Sequence, residues 1–168
     1  SVKAFNLPSL ELPNYEADDL IATYAKQVVD AGGKVTVISS DKDFMQLVSN
    51  KVRLYDPMKS KVLGEKEVIE KFGVKPNQVI DVQSLAGDSS DNVPGVPGIG
   101  IKTASELINK YKTLDKLLEK ADEIPQNKRR ETLLANKDKA LLSRKLVTLK
   151  NDVPVKDELS SFILQDIK

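Results

Sequence analysis

The sequence predicts an α/β fold in its first half, a partial parallel sheet with flanking helices, followed by an all-helical second half. In the first half, segments with helical periodicity alternate with short β-rich segments, the pattern of a parallel sheet with helices packed on it. From Ile99 onward, every segment up to residue 150 has helical periodicity and no strand signal interrupts the series. We therefore expect three units, at 1–86, 87–150 and 151–168.

The first half opens with a long amphipathic helix. Segment 17–30 has apolar residues at helical spacing, and two glycines at 32–33 end it. The next segment, 34–39, is short, rich in β-branched residues and bounded by turn residues, which predicts a buried strand. The remaining predicted elements of this half are a second strand at 52–55 and helices at 65–72 and 76–85.

The second half is expected to be a small helical domain. Its 13 Lys and Arg residues between 99 and 150 outnumber 7 Asp and Glu, whereas residues 1–98 hold 11 against 14. An acidic half for metal joined to a basic half for a phosphodiester backbone is the layout of a metal-dependent nuclease. For charge alone, a plain lysine-rich surface remains the favoured interpretation. Helices are predicted at 101–111, 114–119, 128–135 and 137–149, and the tail at 151–168 is assigned no regular structure.

Histidine and cysteine are both absent. Any metal chemistry must therefore use hard oxygen ligands, which suit Mg²⁺ or Mn²⁺ better than zinc. No apolar run approaches the roughly 18 residues of a membrane span, and no charged-then-apolar leader is visible. We expect a cytoplasmic monomer with no membrane partner.

Seven carboxylates stand in three clusters along the chain, and the first cluster opens the predicted helix at 17–30. Acids in a first helical turn also favour the helix dipole, so this cluster has a purely structural explanation of equal weight. Glu16 and Asp19 are expected to share a helix face while Asp18 points elsewhere. The seven are Glu16, Asp18 and Asp19, then Asp41 and Asp43, then Asp88 and Asp91.

The second and third clusters have positional arguments of their own. Asp41 and Asp43 follow the strand predicted at 34–39, where open parallel sheets bind ligands, although an aspartate here could simply cap the next helix. Asp88 and Asp91 are spaced to project together from one helical turn, with a polar loop as the alternative. If the clusters converge, they can hold two divalent ions about 4 Å apart, an arrangement that cleaves phosphodiesters.

A glycine-rich run at 95–103 directly follows the third cluster. Its glycines permit close approach of the backbone to a ligand, and the helix that follows offers free N–H groups to an anion. A P-loop requires lysine where Ile101 stands, so we expect a helix-hairpin-helix that grips a DNA backbone, with a plain loop as the alternative. The residues expected to contact DNA are Gly95, Gly98, Ile99, Gly100, Lys102 and Thr103.

Three stretches resemble the 5′ nuclease domain at the N-terminus of bacterial DNA polymerase I, a family related to flap endonucleases. They are EADDLIA at 16–22, SDKDFMQL at 40–47 and the run at 87–104, in the family's order. The resemblance implies a PIN-like, resolvase-like nuclease core, truncated here, and a helix-three-turn-helix domain. In relatives, this hairpin binds the duplex backbone and a monovalent cation, so we expect K⁺ at this position.

The resemblance also implies Mg²⁺- or Mn²⁺-dependent hydrolysis of DNA at 5′ ends, 5′ flaps, nicks or branches, as in primer removal and repair. It assigns all seven acids to the metal site, with Asp19, Asp41 and Asp88 taken as catalytic. In the family, a first strand, two more metal-site aspartates and an arch precede the first stretch. We therefore expect a fragment with an incomplete two-metal site that cleaves poorly. The rivals are a non-catalytic DNA-binding module and a PIN-like ribonuclease.

Overall fold

A mixed three-stranded sheet forms the centre of the first half. The structure is a computed structural model that describes residues 2–164. The sheet order is β1 (Val35–Ile38), β2 (Val52–Asp56) and β3 (Lys61–Leu63). β1 and β2 are parallel, as expected, but β3 runs antiparallel to β2. β3 is not predicted from the sequence, so the expectation of a purely parallel sheet is wrong at this edge.

The helices follow the predicted series closely. Within the described residues they are α1 (Ala17–Asp30), α2 (Glu65–Phe72), α3 (Val79–Ala86), α4 (Ile101–Tyr111), α5 (Leu114–Glu119), α6 (Asn127–Ala135) and α7 (Lys137–Val147). Short 3-10 turns occur at Val2–Phe5, Lys42–Leu47, Pro76–Gln78, Ala121–Glu123 and Leu159–Phe162. The helix predicted at 76–85 is thus a 3-10 turn followed by α3. Residues 165–168 of the tail lie outside the described residues.

β1 is less buried than the sequence predicts. Val37 is buried, but Ile38 is 70% exposed. Among the described residues β1 pairs only with β2, so it forms an edge of the sheet. Because this edge strand is covered on one side, Ile38 faces outward, whereas Val35 and Val37 pack against the core.

One apolar core joins the two halves. Leu54 of β2, Phe72 of α2, Leu85 of α3 and Ile108 of α4 are almost completely buried in the same cluster. Burial of one such side chain contributes roughly 1.5–3 kcal/mol. α3 packs against both α4 and α7, so the loops at its ends rest on a shared scaffold. No helix in the described part of the chain has the length and apolar composition needed to cross a bilayer.

The chain after α7 is tied back to the first half. The Gln46 amide donates to the Val147 carbonyl at 2.8 Å and accepts from the Leu149 N–H at 3.0 Å. Asp19 accepts a hydrogen bond from the Lys150 N–H at 2.8 Å. These bonds link α7 to the loop after β1 and to α1, so the acidic and helical halves are held in one arrangement.

Candidate functional site

Three carboxylates converge where the loop after β1 meets the loop after α3. Asp43, Asp88 and Asp91 each offer one oxygen, and these oxygens lie within 4.8 Å of one another. Oxygens that coordinate one Mg²⁺-like ion at 2.0–2.6 Å lie within about 5 Å of each other. The residues present therefore fit a divalent ion held by hard oxygen ligands.

The loop after β1 turns sharply because Asp41 caps the 3-10 turn Lys42–Leu47. The Asp41 carboxylate accepts the Asp43 N–H at 2.8 Å, and Ser39 Oγ accepts the Asp41 N–H at 3.0 Å. The capping role considered for Asp41 is therefore present in the structure, and the cap orients Asp43 toward the cluster. Gln83, buried on α3, donates its amide N–H to the Asp43 carboxylate at 2.8 Å and fixes the side chain.

Asp88 and Asp91 lie on a tight turn and not on a helix. The Asp88 N–H donates to the Val93 carbonyl at 3.0 Å, and the Val93 N–H donates back at 2.7 Å. Gly87, with φ of 71°, leads the chain into this turn. The predicted helical turn is therefore wrong. The carboxylates still meet, because the turn reverses the chain between them.

Asp88 is buried and fully engaged. One carboxylate oxygen accepts the N–H and the hydroxyl of Ser90, and the other pairs with the Lys42 ammonium. The Lys42 interaction, followed by the Ser90 hydrogen bonds, lowers the pKa of Asp88 to about 2. Asp88 in turn raises the pKa of Lys42. In the sequence Lys42 is only the residue between two aspartates, and its place inside the cluster has no signal there.

Repulsion among the acids is visible at Asp43. Burial raises the pKa of its carboxyl, and the charges of Asp41 and Asp91 raise it further against the hydrogen bond from Gln83. A carboxylate that is partly desolvated among other carboxylates is stabilised by a cation. Such perturbed groups are a physical indicator of a functional site.

The first acidic cluster lies at the start of α1. Burial and then the charges of Asp41 and Glu16 raise the pKa of Asp18, and Asp43 adds to the shift. Asp18 therefore lies near Asp41, and the expectation that it points away from the face shared by Glu16 and Asp19 stays a prediction. Asp19 instead binds a backbone N–H beyond α7. Within the described chain, these three acids and Asp41 lie outside the group of three converging carboxylates.

The glycine run forms the turn between α3 and α4. Gly95 has φ of 60°, and a Cβ there would lie 2.5 Å from the backbone nitrogen of Gly87. The Gly95 N–H donates to Ser143 Oγ of α7 at 2.8 Å. Gly98 also has positive φ, 75°, but a Cβ there would meet nothing within 4 Å. Gly95 is therefore fixed inside the protein, whereas Gly98 lies in open space that a ligand can approach.

A groove runs between this hairpin and the start of α6. Pro97, Gly98 and Thr103 line one side, and Lys128 and Arg129 line the other. The first N–H groups of α4 lack carbonyl partners within the helix, as at any helix start, and favour an anion. Lys128 and Arg129 are not among the DNA-contacting residues predicted from the sequence, although the basic excess between 99 and 150 indicates this half.

Comparison with known families assigns the whole chain. Residues 1–73 match a family described as 5'-3' exonuclease, N-terminal resolvase-like domain, and residues 74–168 match 5'-3' exonuclease, C-terminal SAM fold. The chain belongs to the 5'-3' exonuclease family. The resemblance and the fold class predicted from the sequence are thereby confirmed. The unit bounds at 86/87 and 150/151 stay a prediction.

Relatives of this 5'-3' exonuclease chain are considerably longer. DNA polymerase I of Rhizobium leguminosarum is 56% identical over 165 residues, which cover 98% of this chain and 16% of the relative. A 5'-3' exonuclease of Aquifex aeolicus is 41% identical over 167 residues, which cover 99% of this chain and 55% of the relative. The chain therefore spans less than two thirds of the length of these relatives.

Solved structures of the T5 5'-exonuclease share the fold. A mutant of that enzyme matches with a TM-score of 0.79 and 25% identity, covering 85% of this chain and 59% of that chain. A second T5 structure, described as having divalent zinc ions bound, gives a TM-score of 0.79 at 25% identity and covers 85% of this chain and 53% of that one. The fold thus occurs in a nuclease that binds divalent metal.

Proposed function

We propose that this chain carries a metal site and a DNA-binding hairpin of a 5'-3' exonuclease that also cuts 5′ flaps during primer removal and repair. The observation that supports this most is the convergence of Asp43, Asp88 and Asp91 within 4.8 Å. The cluster adjoins the hairpin, because the backbone of Gly87 contacts that of Gly95. Metal ligands and a backbone-binding element are therefore neighbours.

The chain's own residues give the site its order. Asp43, Asp88 and Asp91 hold a first ion, while Gln83 and Ser90 keep two of these carboxylates in place. Bound Mg²⁺ or Mn²⁺ supplies the charge that activates water and stabilises the leaving oxygen. For a second ion, the proposed ligands are the remaining acids, and the charge of Asp41 acts on Asp18 among them. The full proposed set of metal ligands is Glu16, Asp18, Asp19, Asp41, Asp43, Asp88 and Asp91.

The hairpin is proposed to bind one strand of a nicked, branched or flapped duplex through its phosphates. Open space at Gly98 and the free N–H groups at the start of α4 support this role, and Lys128 and Arg129 extend the contact. Phosphate contacts position DNA without reading its sequence, as a flap nuclease requires. K⁺ at the hairpin carbonyls, a monomeric state and a cytoplasmic location belong to the same proposal.

Neutral replacements of the clustered acids in the complete protein test this function. Asp88→Asn and Asp43→Asn are each expected to slow cleavage of a 5′-flap DNA by about 10²-fold or more, because a charged group that acts in the transition state is lost. Binding of the same DNA in EDTA should stay unchanged. Asp30→Asn is the matched control, since Asp30 is exposed and forms only a surface ion pair with Lys26.

The rival hypotheses give different outcomes in the same assay. A non-catalytic DNA-binding module predicts that cleavage by the complete protein is unaffected by Asp88→Asn. A PIN-like ribonuclease predicts cleavage of a matched RNA flap in preference to the DNA flap. Either result would contradict the proposed function.

A further inference from the structure

Lys42 places a positive charge inside the candidate metal centre. Its ammonium pairs with Oδ2 of Asp88, while Oδ1 of the same carboxylate is occupied by Ser90. Apart from Lys42, no hydrogen-bond partner in the described chain reaches that buried Oδ2. The ammonium is therefore the partner of the Asp88 oxygen that the Ser90 hydrogen bonds leave available to an ion.

The other carboxylates of the cluster interact electrostatically with the same ammonium. The negative charges of Asp43 and Asp91 both act on Lys42, and these two residues with Asp88 form the group whose oxygens lie within 4.8 Å of one another. One positive charge thus offsets the repulsion of three negative ones. A divalent ion at the same carboxylates would perform the same electrostatic task.

We infer that the Lys42 ammonium takes the place of the divalent ion in the metal-free protein and has to leave the Asp88 carboxylate when the ion binds. This inference rests on the proposed metal site. Two cations on one carboxylate oxygen repel each other, and the lysine side chain is 36% exposed on a flexible four-carbon stem that can swing outward. Lys42 therefore stabilises the acids before metal arrives and lowers their affinity for it.

A lysine that stays in place would have the opposite effect. If Lys42 kept its contact and helped to hold Asp88 in the geometry that an ion requires, its removal would weaken metal binding or leave it unchanged. The sign of the change in metal affinity therefore separates the two roles.

Lys42→Met in the full chain tests the sign, because methionine keeps the length of the side chain and removes the charge. Mn²⁺ is the probe, titrated by calorimetry or by the electron paramagnetic resonance signal of the free ion. We expect Lys42→Met to bind Mn²⁺ about tenfold more tightly than the wild type, which is about 1.4 kcal/mol. The gain should persist in 1 M KCl, where the Debye length of about 3 Å screens long-range attraction but not competition for one position.

Lys59→Met is the matched control. Lys59 is 74% exposed and lies 4.0 Å from an oxygen of Asp56, outside the cluster. Its replacement should change the Mn²⁺ affinity about twofold or less, as expected for an exposed pair. If Lys42→Met binds Mn²⁺ no more tightly than the wild type, the inference is overturned while the metal site stands. If no variant binds Mn²⁺, the proposed metal site fails and the inference fails with it.

Amine labelling of the wild-type chain gives a second measurement that needs no substitution in the cluster. Acetylation of each lysine is followed by mass spectrometry with and without saturating Mn²⁺. Labelling of Lys42 should rise several-fold when Mn²⁺ is bound, because the ammonium has left Asp88, and labelling of Lys59 should not change. Unchanged or slower labelling of Lys42 would overturn the inference.

Discussion

The acidic and the basic sides of the candidate site are built in opposite ways. On the acidic side, the proposed binding groups are side chains. Asp43, Asp88 and Asp91 converge from two loops, and hydrogen bonds hold Asp43 and Asp88 in place. On the basic side, the proposed binding groups belong to the backbone. Gly95 and Gly98 have positive φ angles, and no side chain caps the N–H groups at the start of α4. The acidic side should therefore respond to charge, and the hairpin should respond to the addition of a single Cβ.

The largest expected effect concerns the acidic side of this chain tested alone. Three carboxylates converge among the described residues, and the four acids proposed for a second ion lie outside that group, so the second of two ions about 4 Å apart is held weakly. We expect residues 1–168 to cleave a 5′ flap about 10²-fold or more slower than the complete protein in Mg²⁺. Single-turnover cleavage of the same substrate by both proteins checks this, and equal rates would contradict it.

The hairpin should show its dependence on shape in a matched pair of glycine replacements. Gly95→Ala puts a Cβ 2.5 Å from the Gly87 backbone at a positive φ, which should lower the free energy of unfolding by about 3–5 kcal/mol. Gly98→Ala also places an alanine at a positive φ, but its Cβ would meet no neighbouring atom. It should lower the free energy of unfolding by about 1–2 kcal/mol. Urea unfolding of both variants measures the difference, and equal costs would remove the structural role assigned to Gly95.

Charge reversal in the groove should separate DNA binding from metal binding. The double change Lys128→Glu and Arg129→Glu is expected to weaken DNA binding about tenfold or more near 0.1 M salt and to lower the slope of log affinity against log salt by about 2. Mn²⁺ affinity should not change. Lys66→Glu with Lys71→Glu on α2 is the control pair, and an equal loss of DNA affinity there would mean that net charge and not the groove is responsible.

The smallest expected effect distinguishes an acid that holds a turn from an acid that holds an ion. Asp56, buried at the end of β2, accepts hydrogen bonds from Ser40 and from the backbone of Met58 and Lys59, and these bonds hold its pKa below the usual range. Its ionised form therefore stabilises the fold above the usual carboxyl pKa, and this contribution disappears as the pH falls through the lowered pKa.

Asp56→Asn should consequently reduce stability less at acidic pH than at neutral pH. The difference in unfolding free energy between wild type and variant is expected to shrink from about pH 6 to about pH 3. Chemical denaturation across this range checks the trend. A difference that grows toward low pH would mean that the Asp56 carboxyl is not held in its ionised form.

Sequence pattern was sufficient for elements that are long or strongly bounded. α1 has a full apolar face and a glycine end, and α4 follows a glycine turn, so the bounds of both match the prediction. β3 could not be predicted, because a strand of three largely exposed residues is too short to show a periodicity. The exposure of Ile38 could not be predicted, because the pattern of a strand does not indicate which element covers that edge of the sheet.

The acidic stretches of the candidate site were visible in the sequence, but the arrangement of their side chains was not. The three acidic stretches were visible, yet only the structure shows that Asp43 meets Asp88 while Asp19 turns to the chain after α7. The sequence predicts no role for Lys42, because ion pairs between distant segments leave no local pattern. Gln83 was hidden for the same reason, since it looks like one more polar residue of α3.

The amide of Gln46 helps to fix the distance between the acidic cluster and the hairpin. It connects the loop that carries Asp43 to the end of α7, and Ser143 of α7 holds the hairpin at Gly95. The distance from the acids to the phosphates that the hairpin is proposed to bind is thus set by packed protein and not by the substrate. The number of nucleotides between the cleaved bond and the phosphates bound by the hairpin should then be the same for different DNA molecules, whatever their base sequence.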